Sequence, residues 1–219
     1  MQKYRLKFRV GDIFSPDDNV SQIIISLFMI FNDLMYVRKK HLAELEENSP
    51  YSEGRSFYLF RLSCSHLKEA VKKLYNLSKK PEFKKIYEKL PNKAKLSFEQ
   101  FQNEYTPWKG SFAEQVLAKI RNSFFHYMYD NDIESALKKI SNNDSEIILG
   151  EKFGDVYFNV ADEVVANHFT KQIEEAGVTL KKAFERIADM IGYFDDFLNY
   201  FVDIYFEIYA EGKYTKEKI

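Results

Sequence analysis

Apolar residues recur at steps of three and four positions along most of the chain, which is the period of amphipathic helices. Serine, threonine or aspartate precedes several of these stretches, as is typical of helix starts. A helix begins at Ser111, and the other predicted helices cover approximately residues 16–48, 52–80, 82–90, 97–105, 133–141, 161–176 and 179–210. The first two are long and separated by a short loop, which predicts an antiparallel hairpin in a bundle. The stripe of the first helix is expected to reach Leu42 and Leu45.

Two parts of the chain have the pattern of β-strands instead. Residues 146–149 and 156–160 are mainly apolar and flank a turn that contains glycine and aspartate, which predicts a β-hairpin. Residues 4–10 alternate between apolar and basic side chains. So short a strand cannot form a sheet alone. This basic arm therefore either pairs as an edge strand, with the β-hairpin as one candidate partner, or lies across a helix or against a partner such as RNA.

The second half of the last helix, from Met190 to Tyr209, is apolar or aromatic on nearly every face. Acidic residues interrupt it, so it does not resemble a membrane span. A helix with so little polar surface lies either at the centre of its bundle or in a contact between subunits.

Together these patterns predict a mainly α fold. We expect a helical bundle with a long antiparallel helix hairpin, a further helix that carries the motif described below, and a small β-hairpin insert. One domain is predicted over residues 1–219. Its parts are a basic extended arm at 1–15, a bundle core at 16–142, the β-hairpin at 143–160 and C-terminal helices at 161–219.

The composition is that of an ordinary globular protein, with 45% hydrophobic and 30% charged residues among 219. The net charge is −1, so any nucleic-acid surface has to be a local basic patch. The one cysteine, Cys64, can form neither an internal disulfide bond nor a cysteine zinc site. The most apolar run, 23–31, is too short to cross a bilayer before Asn32 interrupts it. A cytoplasmic protein without a membrane partner is therefore expected.

No cofactor and no metal are expected. The chain has no His-Glu-x-x-His motif, no cysteine cluster and no glycine-rich phosphate loop.

The strongest candidate chemistry lies near the end of the helix that begins at Ser111. Ser111 and Glu114 form a capping box at the start of this helix. Arg121, Asn122 and His126 follow in the same helix. On a helical wheel Asn122 and His126 share a face nearly opposite the apolar stripe, with Arg121 at its edge.

Phe125 also points away from the apolar stripe on this wheel. An outward phenylalanine beside polar residues indicates a second surface. A homodimer formed through this face would bury Phe125 and bring together two sets of arginine and histidine. A simpler interpretation is that these are solvated polar residues that favour a helix C-terminus.

The sequence Arg121-Asn122-x-x-x-His126 resembles the signature of the HEPN superfamily, in which a polar residue, often asparagine, directly follows the arginine. The long helix hairpin before it also resembles that family. The resemblance covers about residues 16–142 and is closest over 112–128. It implies a homodimeric, metal-independent endoribonuclease with Arg121, Asn122 and His126 as catalytic residues. It also implies a setting in prokaryotic defence or a toxin–antitoxin pair, with an antitoxin or regulatory protein as partner.

The residue types suit RNA cleavage, in which the 2′-hydroxyl of the substrate attacks the adjacent phosphate. Histidine can act as the base or the acid because its ordinary pKa lies near neutral pH. Arginine offers a fixed fork of donors to phosphate oxygens. Asn122 would orient His126 or bind the phosphate. The resemblance implies a 2′,3′-cyclic phosphate product, and DNA would be refused because it lacks the attacking group.

Other residues are weaker candidates. Arg61 and His66 repeat the arginine–histidine spacing and are either structural or contacts on the substrate side. Lys79 and Lys80 belong to a cluster of lysines that would follow an RNA backbone. His168 is isolated among mixed residues and is interpreted as incidental.

Two other function classes fit the sequence. One is a non-catalytic HEPN-like module that binds RNA, nucleotide or protein. The other is a structural helical adaptor that uses the aromatic C-terminal helix.

Overall fold

A computed structural model describes residues 4–46, 51–105, 110–125, 128–145, 147–149, 151 and 157–218. The helices are α1 (Val10–Ile13), α2 (Asn19–Glu46), α3 (Ser52–Ser78), α4 (Pro81–Lys89), α5 (Asn92–Asn103), α6 (Ala118–Phe125), α7 (Asp130–Ile140), α8 (Asn159–Glu175) and α9 (Leu180–Tyr209). The strands are β1 (Tyr4–Phe8), β2 (Ile147–Ile148), β3 (Tyr157–Phe158) and β4 (Tyr214–Lys218). The predicted mainly α fold with a small β element is confirmed.

Local capping explains where several helices begin and end. The Asp18 carboxylate accepts hydrogen bonds from the amides of Val20 at 3.2 Å and Ser21 at 2.9 Å, which starts α2. Gly177 has a φ of 74° and follows the end of α8, where a residue without Cβ is favoured. The Thr179 hydroxyl then caps α9 by accepting a backbone amide hydrogen bond at 3.3 Å. The predicted boundaries near 176 and 179 are confirmed, whereas α2 begins at Asn19, three residues after the predicted start at 16.

The contacts between residues divide the chain into two compact units. Unit 1 comprises Met1–Asn32, Glu69–Tyr105 and Met190–Ile219, and unit 2 comprises Asp33–Lys68 and Thr106–Asp189. The two units alternate along the sequence. Boundaries between them fall within α2, α3 and α9, so each of these helices has residues in both units. The assignment of the chain to one domain stays a prediction.

In unit 2, one histidine–aspartate contact and one ion pair show that α2 and α3 run antiparallel. Asp33 Oδ2 lies 3.8 Å from His66 Nδ1, and Glu44 Oε2 lies 2.9 Å from Arg55 Nε. A move of eleven residues forward along α2 thus corresponds to a move of eleven residues back along α3. The predicted helix hairpin is therefore confirmed in this unit. The predicted stop at 48–50 lies outside the described residues.

The other helices of unit 2 are joined by apolar contacts. The ring of Phe60 on α3 lies 3.9 Å from the ring of Phe184 on α9, measured between centroids. α7 packs along α8 through a small cluster formed by Ala136, Ile140 and Val164. α8 also contacts α3, where the rings of Phe57 and Phe169 meet edge-on at 5.6 Å.

Strands β2 and β3 form the predicted hairpin. They pair antiparallel, with Ile147 opposite Phe158. The hydroxyl of Tyr157 donates a hydrogen bond to Asp162 in the first turn of α8, which ties the hairpin to that helix. The predicted turn residues 152–156 lie outside the described residues.

Unit 1 is built around the second half of α9. Phe194, Phe197 and Phe201 have 0% exposed surface, and Tyr205 has 1%. Rings from α4 and α5 cover the three phenylalanines at centroid distances of 5.1 to 5.4 Å. The sequence left two positions open for this half of α9, the centre of the bundle or a contact between subunits. The structure shows that it lies at the centre of unit 1.

The N-terminal arm pairs with the C-terminal strand of the described chain. β1 and β4 are antiparallel, with Tyr4 opposite Lys218. Lys7 Nζ lies 2.8 Å from Glu217 Oε1, so an acidic residue contacts the basic side of the arm. Pairing as an edge strand is confirmed, whereas pairing with the hairpin is wrong. The arm is also not extended to residue 15, because α1 begins at Val10.

Three helices begin at least two residues earlier than predicted. α5 begins at Asn92, directly after Pro91, and not at residue 97. A proline supplies the extended backbone that precedes a helix, so the helix can start at once. α7 begins at Asp130, so Asp132, which directly precedes the predicted start at 133, lies in its first turn. α8 begins at Asn159, and the prediction that the second strand of the hairpin continues to residue 160 is therefore wrong.

The apolar stripe of α2 does not include its last leucines. Leu42 and Leu45 are 54% and 65% exposed. The inward positions near this end are His41 and Glu44, which are half-buried. Each leucine lies one residue further on, which corresponds to a rotation of about 100° around the helix. The prediction that both leucines face the core is wrong for this reason.

Helix α2 is long and apolar enough, by length and composition alone, to cross a membrane. The helix continues through Asn32, so it is longer than the apolar run noted in the sequence. Core helices of globular proteins pass the same test, and 33% of the apolar window of α2 is buried. The cytoplasmic location stays a prediction.

Gly54, in the first turn of α3, allows Tyr157 and Asp162 to approach the helix closely. A Cβ atom at this position would lie well inside the contact distance of Asp162 Oδ2 and the Tyr157 hydroxyl. We expect Gly54→Ala to lower the free energy of unfolding by about 1–3 kcal/mol, because these bonded side chains have to move. Urea unfolding followed by circular dichroism measures the change.

Gly192→Ala is the matched control for this substitution. Gly192 also lies in a helix, and a Cβ atom there meets nothing within 4 Å. Alanine should therefore raise the free energy of unfolding by about 0.5–1 kcal/mol. Equal stability of the two variants would show that Gly54 has no steric role.

Candidate functional site

The motif helix starts as predicted and then departs from regular α-helical geometry. The Ser111 hydroxyl accepts a hydrogen bond from the Glu114 amide at 3.3 Å, which is half of the predicted capping box. Residues Ala113–Leu117 then form a π-helical turn, in which the Ala118 amide bonds the Ala113 carbonyl five residues back. Such turns are frequent at functional sites. α6 continues from this turn to Phe125.

Charged and aromatic contacts attach the start of this helix to its neighbours in unit 2. The Glu114 carboxylate forms an ion pair with Lys68 on α3, whose side chain is only 12% exposed. The Arg186 guanidinium, from α9, lies over the ring of Phe112, 4.4 Å from its centroid. The apolar stripe of the motif helix is buried. Its members with described side chains are Ala113, Val116, Leu117 and Ile120.

The motif residues lie at the other end of the helix. Asn122 is exposed and Arg121 is half-buried, as the helical wheel predicts for an outward residue and for one at the edge of the stripe. His126 and the side chain of Phe125 lie outside the described part of the chain. The structure therefore places Asn122 on an exposed face of the helix and Arg121 at the edge of that face.

A buried histidine lies at the contact between α8 and α7, the helix that follows the motif. His168 on α8 is 9% exposed, and its Nδ1 lies 3.9 Å from Asp132 Oδ1 at the start of α7. Its Nε2 lies 2.8 Å from Gln172 Nε2. Burial lowers the pKa of His168, and Asp132 opposes this shift. His168 is therefore not isolated, because its side chain lies at the contact of α8 with α7; that it has no functional role stays a prediction.

The sequence contains one local signal of this role. His168 and Gln172 are four residues apart and therefore share a helix face. The contact with Asp132 is a tertiary contact, for which the local pattern gives no signal.

Arg61 and His66 lie in the same unit as the motif helix, on α3. The Arg61 guanidinium lies over the ring of Phe169 on α8, 4.8 Å from its centroid, and burial lowers the pKa of Arg61. His66 faces Asp33, and burial lowers its pKa although Asp33 opposes the shift. Both side chains thus have partners within unit 2, and their role as contacts for substrate stays a prediction.

Lys79 and Lys80 belong to unit 1 and are exposed after the end of α3. Lys79 Nζ lies over the ring of Tyr75, 3.9 Å from its centroid. The Tyr75 ring in turn contacts Tyr105 edge-on at 5.2 Å. A cation beside partly exposed aromatic rings is a surface that suits single-stranded RNA, through phosphate contacts and base stacking.

Among the residues that the structure describes, no three histidine, cysteine, aspartate or glutamate side chains are grouped so that they could hold a metal ion. Comparisons of the chain with protein families, with curated proteins and with solved structures find no match. The case for a function therefore depends on the motif and on its surroundings.

Burial lowers the pKa of each of the three described histidines, His41, His66 and His168. The unfolded chain therefore takes up protons at a higher pH than the folded chain does. As the pH falls from about 7.5 to about 5.5, through the ordinary histidine value, the free energy of unfolding should fall. Urea unfolding at both pH values measures this change.

His168→Gln tests the contribution of one of these histidines. Glutamine does not titrate, so the variant should lose less stability than the wild type over the same pH interval. An equal loss in both proteins would mean that His168 is not protonated differently in the folded and unfolded states.

Proposed function

We propose that this chain is a metal-independent endoribonuclease of the HEPN type that acts as a homodimer. RNA is the substrate, and an antitoxin or regulatory protein is the second partner in prokaryotic defence or a toxin–antitoxin pair. The proposal rests on the resemblance of Arg121-Asn122-x-x-x-His126 to the family signature.

One observation carries the proposal. Asn122 is exposed and Arg121 is half-buried, on a helix that is attached to α3 and α9 at its other end. A half-buried arginine keeps its stem packed while its guanidinium reaches a bound phosphate. This arrangement supports an anion-binding role for Arg121 beside Asn122.

In the proposed reaction the 2′-hydroxyl of RNA attacks the adjacent phosphorus atom, and the bond to the 5′-oxygen breaks. His126 accepts the proton of the 2′-hydroxyl, and His126 of the second subunit gives a proton to the leaving oxygen. Arg121 binds the phosphate oxygens as negative charge develops on them. Asn122 holds the phosphate or the imidazole in place. The products are a 2′,3′-cyclic phosphate and a 5′-hydroxyl end.

The decisive test is cleavage of RNA in EDTA by the purified protein. His126→Ala should reduce the rate by about a hundredfold to ten-thousandfold, because a general base is lost. Arg121→Gln should reduce it by about a hundredfold to a thousandfold, because the positive charge on the transition state is lost. The ends of the products are identified by mass spectrometry, and size-exclusion chromatography with light scattering reports dimer formation.

Lys119→Gln is the matched control for Arg121→Gln, because Lys119 is an exposed cation on the same helix. It should leave cleavage unchanged. Cleavage that survives His126→Ala would reject this site. Absence of cleavage, together with RNA binding that depends on Arg121, would instead indicate the non-catalytic module. If neither substitution changes the behaviour of the protein, the structural adaptor is indicated.

The RNA path is tested by charge reversal at Lys79 and Lys80. Replacement of both by glutamate should weaken RNA binding and reduce the slope of log K against log salt by about 1–2, as one or two phosphate contacts are lost. Fluorescence anisotropy of a labelled single-stranded RNA at several salt concentrations gives both quantities.

Replacement of Lys181 and Lys182 by glutamate makes the same charge change at exposed positions in the first turn of α9. This control should affect the slope less. Identical slopes for the two double variants would show that Lys79 and Lys80 contribute only to the general charge of the protein.

A further inference from the structure

Unit 1 contains a cavity of about 770 Å³ that no part of the proposed ribonuclease site uses. It lies between α2, the second half of α9 and the sheet formed by β1 and β4. Five of the residues that line it are large and apolar, and they are called the floor below: Leu6, Phe28, Phe31, Leu198 and Phe206. The volume is in the range of pockets that enclose a small organic molecule.

The floor is already ordered by contacts within unit 1. Phe31 packs against Phe194 at a centroid distance of 6.3 Å, and Phe206 meets Tyr214 edge-on at 5.5 Å. Leu198 is 3% exposed. Because these side chains are held in place without a ligand, binding would require little rearrangement.

The charged residues that line the cavity, called the rim below, are Asp203, Glu207 and Lys216. Asp203 and Glu207 line it and are four residues apart on α9, so they share a helix face. Burial raises the pKa of Asp203, Lys216 on β4 opposes this shift, and Glu207 adds to it. Two carboxylates and one ammonium group thus line the cavity. A further positive charge is favoured there and a negative charge is disfavoured.

Aromatic rings near the carboxylates add to this preference. Tyr200 and Tyr214 also line the cavity. The face of an aromatic ring attracts a cation, most strongly where water is partly excluded.

We propose that this cavity binds a small organic cation with an apolar body, whose ammonium group is held by Asp203 and Glu207 and whose body packs on the phenylalanine floor. Charge complementarity selects a cation, and the apolar floor favours an amine with an aromatic or aliphatic body over a bare metal ion. This inference is independent of the ribonuclease proposal, since the two share no residue.

Three probes with the same indole body and different charge test the proposal: tryptamine, which is a cation, tryptophol, which is neutral, and indole-propionate, which is an anion. Isothermal titration calorimetry on the full-length chain gives the three dissociation constants. Tryptamine should bind at least about tenfold more tightly than tryptophol, which corresponds to about 1.4 kcal/mol. Indole-propionate should bind most weakly.

Substitutions at the rim separate the charge effect from the fold. Asp203→Asn should weaken tryptamine binding by about tenfold and leave tryptophol binding unchanged, which also shows that the cavity is intact. Glu207→Gln provides a second variant with the same expected pattern. Lys216→Gln should strengthen tryptamine binding, because a competing cation is removed. Asp189→Asn makes the same chemical change at an exposed position of α9 outside the cavity and should alter nothing.

Three outcomes would overturn the proposal. The first is equal binding of all three probes, which would indicate an apolar groove without charge selection. The second is tryptamine binding that Asp203→Asn and Glu207→Gln leave unchanged. The third is no binding of any probe at millimolar concentration.

Discussion

The burial of the aromatic half of α9 is the constraint on which unit 1 depends. Phe194, Phe197 and Phe201 are fully enclosed, and each contributes about 1.5–3 kcal/mol when it leaves water. No single neighbouring helix can cover a helix that is apolar on every side. The chain therefore surrounds it with α2, α4, α5 and the β1–β4 sheet. A polar atom within this core is satisfied, since the Tyr205 hydroxyl donates to the Ile13 carbonyl at 3.2 Å.

Unit 2 is organised differently, because charged side chains connect its helices at defined points. Asp33 and Glu44 fix the register of α2 against α3, and Glu114 attaches the motif helix to Lys68. Exposed ion pairs contribute little to stability, whereas a pair with a largely buried lysine fixes position because its loss leaves a buried charge. This unit thus combines a buried apolar core with polar contacts that attach the motif helix to α3.

The sequence predicted the elements whose signals are local and missed those that depend on distant residues. Gly177 and Thr179 act on backbone groups within a few residues of themselves, so the end of α8 and the start of α9 were predictable. β4 has a polar sequence, and its partner β1 is at the opposite end of the chain, so neither composition nor spacing indicated this pair.

The same distinction holds at the candidate site. The exposure of Asn122 follows from counting around a helix. The partner of Glu114 did not follow from the capping pattern, because Lys68 is brought close only by the fold.

The π-helical turn at Ala113–Leu117 takes up one residue more than a regular α-helical turn does. The start of this helix is held at Ser111. Deletion of a single residue within the turn would restore a regular α-helix and keep every motif residue. It would also leave Arg121 and Asn122 facing as they do, because the wider turn absorbs the extra residue, whereas a deletion between the turn and Arg121 would rotate them by about 100°. A homologous chain could therefore lack one residue at the turn and still present the same motif face.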